Sequence, residues 1–191
     1  MFFPAAIIDM LQRRAAGDGL WLPSSYPRGG GLLDQGAARD SLFVLISGLV
    51  KLTYLSAEGD EWIKSLIVDT GLFGALGSEA GSRFGASAIE PSVVVELPAS
   101  WIGAAMAADI GLAAQAGAFN AWLVGRKQAR EEALLCQSAE ARYRTMLATE
   151  PALVARLPQG DIARYLRITP IAFSRIKRRM RGNGQIDATG I

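Results

Sequence analysis

The sequence predicts an α+β fold: an antiparallel β barrel or sandwich, then a long helix, then a helix-turn-helix. Three observations predict it. Short runs of β-branched and aromatic residues separated by turn residues fill positions 32–97. A texture rich in Ala, Leu, Gln and Glu follows Pro98, and a capped, basic helical hairpin occupies positions 159–181.

The strands come first. Ser41-Leu42-Phe43-Val44-Leu45-Ile46, Leu49 to Leu55, Trp62 to Val68 and Ser92 to Leu97 each carry the residues that fit a pleated, half-buried surface. Ser47-Gly48, Glu58-Gly59-Asp60 and Asp69-Thr70-Gly71 supply turn chemistry between them.

Beyond Pro98 good helix formers dominate from Ser100 to Cys136. Leu112, Ala116, Phe119 and Leu123 recur at helical spacing and form one apolar face. That stripe must pack against the β domain, a partner subunit, or both, and the small residues Gly111, Ala114 and Gly117 permit close approach of another backbone. Ser138 can cap a further helix, which Glu150-Pro151 ends because the residue before proline disfavours the α region.

In the last segment, Ile162, Ala163 and Leu166 give a short amphipathic helix. Thr169 is a good N-cap and Pro170 suits the first helical position of a second one. Ile168, Phe173, Ile176 and Met180 bury one side of it, leaving Pro170, Ile171, Ser174, Arg175 and Arg178 on other faces. Two short helices with a tight turn and a basic exposed face make a helix-turn-helix.

Composition narrows the chemistry. The 191 residues include no histidine and a single cysteine, Cys136, which removes zinc sites, catalytic histidine dyads, histidine-ligated haem and four-cysteine clusters built from this chain alone. No catalytic residue or metal site is identified, and an enzyme is not expected. With one cysteine there is no disulfide framework. The apolar opening from Met1 to Ile8 lacks a basic segment, so it is not read as a signal peptide. The longest uncharged stretch, Ile110 to Gly125, is shorter than the ~20 residues a membrane span needs. A soluble, cytoplasmic protein with no membrane partner is expected.

The net charge of +2 hides a division: residues 1–100 hold 7 Lys/Arg against 11 Asp/Glu, and residues 101–191 hold 13 against 7. Between Asp161 and Arg181 seven cations face one acid. Such a run is either a solvated helix face or a surface for nucleic acid.

Taken together, Leu42 to Leu52 with its turn glycine, Gly71-Leu72-Phe73-Gly74, Ser138-Ala139-Glu140-Ala141-Arg142-Tyr143, and Asp161-Ile162-Ala163 through Ser174-Arg175-Ile176 resemble the Crp/Fnr family of bacterial transcription regulators. The resemblance implies an N-terminal antiparallel β-roll of the cyclic-nucleotide-binding type over residues 1–108, a central dimerisation helix over 109–136, and a C-terminal winged helix-turn-helix over 137–191. The tail after Met180 is short for a complete wing, so at most a fragment is expected.

The resemblance also implies a homodimer joined along the central helix, here through Leu112, Ala116, Phe119 and Leu123, with a recognition helix from each copy entering double-stranded DNA. RNA polymerase is a further partner of such regulators. Thr169, Pro170, Ile171, Ser174, Arg175, Lys177, Arg178 and Arg179 are the expected DNA-binding residues. Arg175 matches the family arginine used on guanine, where a planar fork of donors can bind O6 and N7 together. Lys177, Arg178 and Arg179 are assigned to phosphates or solvent. Pro170 and Ile171 stand where the family often has polar residues, including a glutamate; Ile171 can touch only a thymine methyl.

The effector site departs from the family. Phe73-Gly74-Ala75 lacks the carboxylate expected after Phe-Gly, and Phe84-Gly85-Ala86 has its arginine, Arg83, one place early. A buried phosphate without that arginine is an unpaired charge, so cyclic AMP is not expected and no cofactor is identifiable. These seven residues remain the candidate pocket for an unknown effector; the glycine-rich stretch either cradles another anion or only turns the roll. The expected function is a dimeric DNA-binding regulator. The alternative is a β-roll module that binds a small molecule or protein while its helix-turn-helix does not read DNA specifically.

Overall fold

The computed structural model describes residues 5–74, 76–77 and 81–182. Ala75 and the tail 183–191, where the wing fragment is expected, lie outside the described residues.

Among the described residues eight strands form two four-stranded antiparallel sheets. β1 (Ser24–Tyr26), β8 (Ser92–Pro98), β3 (Ser41–Ser47) and β6 (Gly71–Gly74) lie side by side in that order, and β2 (Gly31–Leu33), β7 (Gly85–Ala88), β4 (Leu49–Leu55) and β5 (Glu61–Val68) make the other sheet. β3 explains why its sequence is an unbroken apolar run. Phe43 and Leu45 point between the sheets, whereas Val44 points outward into a second core, so both faces are covered. Between the sheets Phe43 stacks on Phe73 with ring centroids 5.1 Å apart, amid Val50, Leu52, Phe84 and Val94.

The outer face of the first sheet is covered by helices. An N-terminal helix that the sequence pattern did not signal, α1 (Ala5–Gly17), joins α2 (Ala99–Ala108) and the start of α3 (Ile110–Cys136) over Val44, Val95 and Leu97. Asp109 divides the helical stretch after Pro98 in two: its Oδ1 accepts from the backbone N–H of Gly111 at 2.9 Å and of Leu112 at 3.1 Å, capping α3.

Four short helices follow: α4 (Ala139–Thr149), α5 (Pro151–Arg156), α6 (Gln159–Tyr165) and α7 (Pro170–Gly182). The predicted caps form, with Ser138 Oγ accepting from Ala141 N at 3.1 Å and Thr169 Oγ1 from Ala172 N at 3.2 Å. Tyr143, Leu166, Phe173 and Met180 centre their core, which Leu49 and Ile89 of the β-roll complete.

Gly48 joins β3 to β4 at φ +105°, and a Cβ there would lie 2.6 Å from Pro91 O and 2.7 Å from Ser92 Cα. Gly59, at φ +88°, has open space around its Cβ position. Gly48→Ala is therefore expected to cost roughly 2–4 kcal/mol and Gly59→Ala only about 1 kcal/mol, as read by urea unfolding. Equal losses would contradict the close approach at Gly48.

Candidate nucleic-acid interface

The helix-turn-helix is built by α6 and α7. Ile162 and Ala163 of α6, Leu166 just after it, and Phe173, Ile176 and Met180 of α7 are buried together, with Tyr143 of α4 meeting Phe173 edge-on at 4.9 Å. The turn between them passes through Arg167 at φ +61°, a left-handed conformation that a non-glycine residue adopts at a cost. Its guanidinium lies over the Trp62 ring of β5, 4.1 Å from the centroid, which offsets part of that cost.

With one side of α7 buried, the other is fixed. Thr169, Pro170, Ile171, Ser174, Arg175 and Arg178 are all exposed, Ile171 at 68%. Spaced three and four residues apart, Ile171, Ser174, Arg175 and Arg178 form one stripe. Among the described residues no carboxylate pairs with Arg175 or Arg178.

Two expected DNA contacts are placed differently. Lys177 is turned inward and only 7% exposed, because it follows Ile176 on the buried side; its amine is 6.0 Å from the Phe173 centroid, and burial, with Arg181 nearby, holds its pKa below the usual lysine value. Lys177 is therefore removed from the outward set. Arg179 remains exposed, but its Nε donates to Glu140 Oε2 at 2.8 Å, tying α7 to α4.

The central helix needs a similar correction. Leu112 is 1% exposed, inside the core that α1 and α2 share with the first sheet, and Ala116 and Phe119 pack against that core. Leu123 is half-buried and lines a groove beside β5. The stripe of larger apolar residues thus covers its own chain. A different face is free: Ile110, Ala114, Gly117, Ala121, Val124, Gln128, Glu131 and Leu135 are all exposed and alternate in spacing between four and three. That is the 4-3 spacing on which a coiled-coil seam is built. Ile110 at 88% and Leu135 at 78% are among the most exposed large apolar side chains. The 4-3 spacing stands in the sequence, but small residues hid it behind the bulkier stripe.

The candidate effector residues that are described lie in or beside the strands of the roll. Phe73, Phe84 and Ala86 are buried in the core between the sheets, Gly74 and Gly85 are half-buried in their strands, and Arg83 is exposed.

A groove of about 1170 Å³ runs instead where β5, α3 and the helix-turn-helix meet. Arg130 of α3 crosses its base, donating to Ile63 O at 2.8 Å and Tyr165 O at 2.9 Å with its guanidinium 3.9 Å from the Tyr165 centroid. Lys64 of β5 projects toward it between the rings of Phe84 and Tyr54, 4.2 and 5.4 Å from their centroids. Burial, helped by the charge of Lys127, pushes the pKa of Lys64 down to about 8.

Because the folded chain holds Lys64 below the usual 10.5, the unfolded chain binds more protons between pH 8 and 10.5, and stability should rise with pH across that window. Lys64→Met is accordingly expected to raise the melting temperature by a few degrees at pH 7 and to lose that advantage above pH 10, as followed by circular dichroism. A gain that is independent of pH would contradict the stated cause.

No family model matches the sequence, and no curated protein matches it either. Structural comparison is informative. FixK2 from Bradyrhizobium japonicum is similar at TM-score 0.78 and 20% identity, over 90% of this chain and 89% of that one. The c-di-GMP-responsive global regulator CLP of Xanthomonas campestris is similar at TM-score 0.78 and 14% identity, over 95% of each chain. A CRP-family transcriptional regulator from Thermus thermophilus follows at TM-score 0.69 and 20% identity, over 86% and 87%. Among the described residues no helix is long and apolar enough to cross a membrane. The resemblance read from the sequence is matched by the whole architecture, and the chain has the fold of the Crp/Fnr transcription regulators.

Proposed function

We propose that this protein is a DNA-binding transcription regulator that acts as a homodimer, with α7 as the recognition helix. The observation that carries the reading is the division of α7: Phe173, Ile176 and Met180 are buried while Ile171, Ser174, Arg175 and Arg178 stand outward without a carboxylate partner among the described residues. A helix presented in this way can enter a major groove and place its N-terminal half against base edges. Arg175 would read a guanine through O6 and N7, Arg178 would meet phosphate, and Ile171 would favour a thymine methyl beside it. Neither Pro170 nor Ile171 can accept a hydrogen bond from a cytosine amino group through its side chain.

Dimerisation would use the exposed 4-3 stripe of α3. Gly117, Ala114 and Ala121 let two backbones approach closely, and Ile110, Val124 and Leu135 supply apolar area on either side. In a parallel two-fold pair each residue of the seam faces its own copy. A symmetric pair of α7 helices would then read a near-palindromic site.

Selection from a randomised DNA pool should yield such a site. On it, Arg175→Ala removes one guanine contact from each half-site and is expected to weaken binding by about thirtyfold or more, from the ~1–3 kcal/mol carried by each bidentate contact. The inward Lys177→Met should change affinity by less than about threefold and leave the salt dependence alone. Retained affinity in Arg175→Ala would contradict the reading. Ala121→Glu should produce a monomer in sedimentation, whereas Leu123→Ala should remain dimeric; the reverse pattern would restore the stripe through Leu123 as the interface.

A further inference from the structure

Residues 138–182 carry ten Lys/Arg against three acids, Glu140, Glu150 and Asp161. Asp161 is taken up by Lys51 and Arg164. Glu150 is exposed and, among the described residues, pairs with no cation. Glu140, in the first turn of α4, is placed differently. Among the described residues it is the one carboxylate that pairs with a cation of α7.

Both of its oxygens are engaged. Oε1 accepts from Arg144 Nη2 at 2.5 Å, while Oε2 accepts from Arg179 Nε at 2.8 Å and from the same guanidinium's Nη2. The Glu140 side chain is only 16% exposed and that of Arg179 is 58% exposed, so the acid sits inside the cation that covers it. The hydrogen bond from Arg179, with the charges of Arg179 and Arg144, holds the Glu140 carboxyl below the usual carboxylate range, and it is ionised at neutral pH.

Arg179 stands four residues beyond Arg175, about 40° around the axis, and therefore one turn farther along nearly the same side of α7. A helix seated in a major groove has phosphates along its flanks. The edge of a guanidinium formed by Nε and Nη2 can grip a phosphate with two parallel bonds, and Glu140 already occupies that edge. A carboxylate of α4 and a DNA phosphate are thus alternative partners for one fork of donors.

We propose that Glu140 is an internal stand-in for a DNA phosphate, holding Arg179 off the backbone and lowering the part of the affinity that does not depend on sequence. It is a positioning residue, because it acts through Arg179. The proposal rests on the reading of α7 as the helix that enters DNA. Without Glu140, Arg179 would add to the binding of any duplex, whatever its sequence.

Fluorescence anisotropy with the full chain, on a random-sequence duplex and on a selected site of equal length, tests this between about 50 and 200 mM salt. Glu140→Gln keeps the length of the side chain and leaves the core around Tyr143 untouched, and circular dichroism checks that it folds. It is expected to bind the random duplex about fivefold or more tightly at the lowest salt, and to steepen the plot of log affinity against log salt by about one per chain. The loss caused by Arg179→Met should be at least about fivefold larger in the Glu140→Gln background than in the wild type, read as a double-mutant cycle. Glu150→Gln removes the same charge about 15 Å away along α4, where salt screens it, and should change affinity by less than about twofold. Unchanged binding in Glu140→Gln would overturn the proposal. So would an equal gain in Glu150→Gln, or weaker binding in Glu140→Gln, which would make the acid a prop that aims Arg179 at phosphate. The Glu140 variants are read on the random duplex and sequence reading on the difference between the two duplexes, so the failure of one is told apart from the failure of the other. Absence of binding to either duplex would overturn both.

Discussion

The placement of α7 depends on how Arg142 is bonded. Its guanidinium donates to Ala133 O at 3.3 Å and to Gln137 O at the end of α3, and to Leu166 O at 2.6 Å at the end of α6. Helices leave their last carbonyls unsatisfied, and a cation is favoured at that pole. One planar side chain of α4 therefore closes two other helices at once and fixes the angle between the central helix and the helix-turn-helix. Tyr143, the next residue, is fully buried against Phe173, so the same turn of α4 also seats α7.

Around that pivot the helix-turn-helix rests on the β-roll through charge as well as apolar contact. Lys51 of β4 meets Glu61 at 2.7 Å and Asp161 at 3.4 Å, and Asp161 also accepts from Arg164 at 3.2 Å. On the other side of the seam Arg156 bonds Asp69 and Glu90. Leu49 and Ile89 of the roll belong to the same core as α4 to α7. Screening by salt weakens the exposed pairs most, whereas the apolar part of the seam is insensitive to it.

Much of this arrangement was legible in the sequence. The strands from Ser41 onward, the caps at Ser138 and Thr169 and the buried side of α7 follow from alternation, capping chemistry and helical spacing, all of which are local. What was misread depended on tertiary context. The α3 stripe through Leu112 is the more apolar one, but apolarity does not say which neighbour covers it, and here that neighbour is the chain's own α1 and first sheet. Lys177 carries the same charge as Arg178 and differs only by 100° around the helix axis, enough to turn one inward. α1 is not signalled by local pattern because its buried residues, Ile7, Ile8, Leu11 and Ala15, share their core mostly with residues tens of positions further along the chain, among them Val44, Leu72, Val95 and Leu112. Lys64 could not be found at all from sequence, since its isolation from acids is a property of folded neighbours.

The bulk of the seam residues on α3 is unevenly distributed. Glycine and alanine occupy it from 114 to 121, and longer side chains follow from Val124 to Leu135. In the proposed dimer the two helices would come nearest beside the β-rolls and diverge toward the DNA. At about 1.5 Å per residue, the span from Gly117 to Cys136 is a lever of roughly 28 Å, so a tilt of about 5° displaces its far end by about 2.5 Å. In such a pair an added methyl group near the fulcrum would shift the far ends of the two helices, so that the plainest residues in the chain would set how far apart those ends stand.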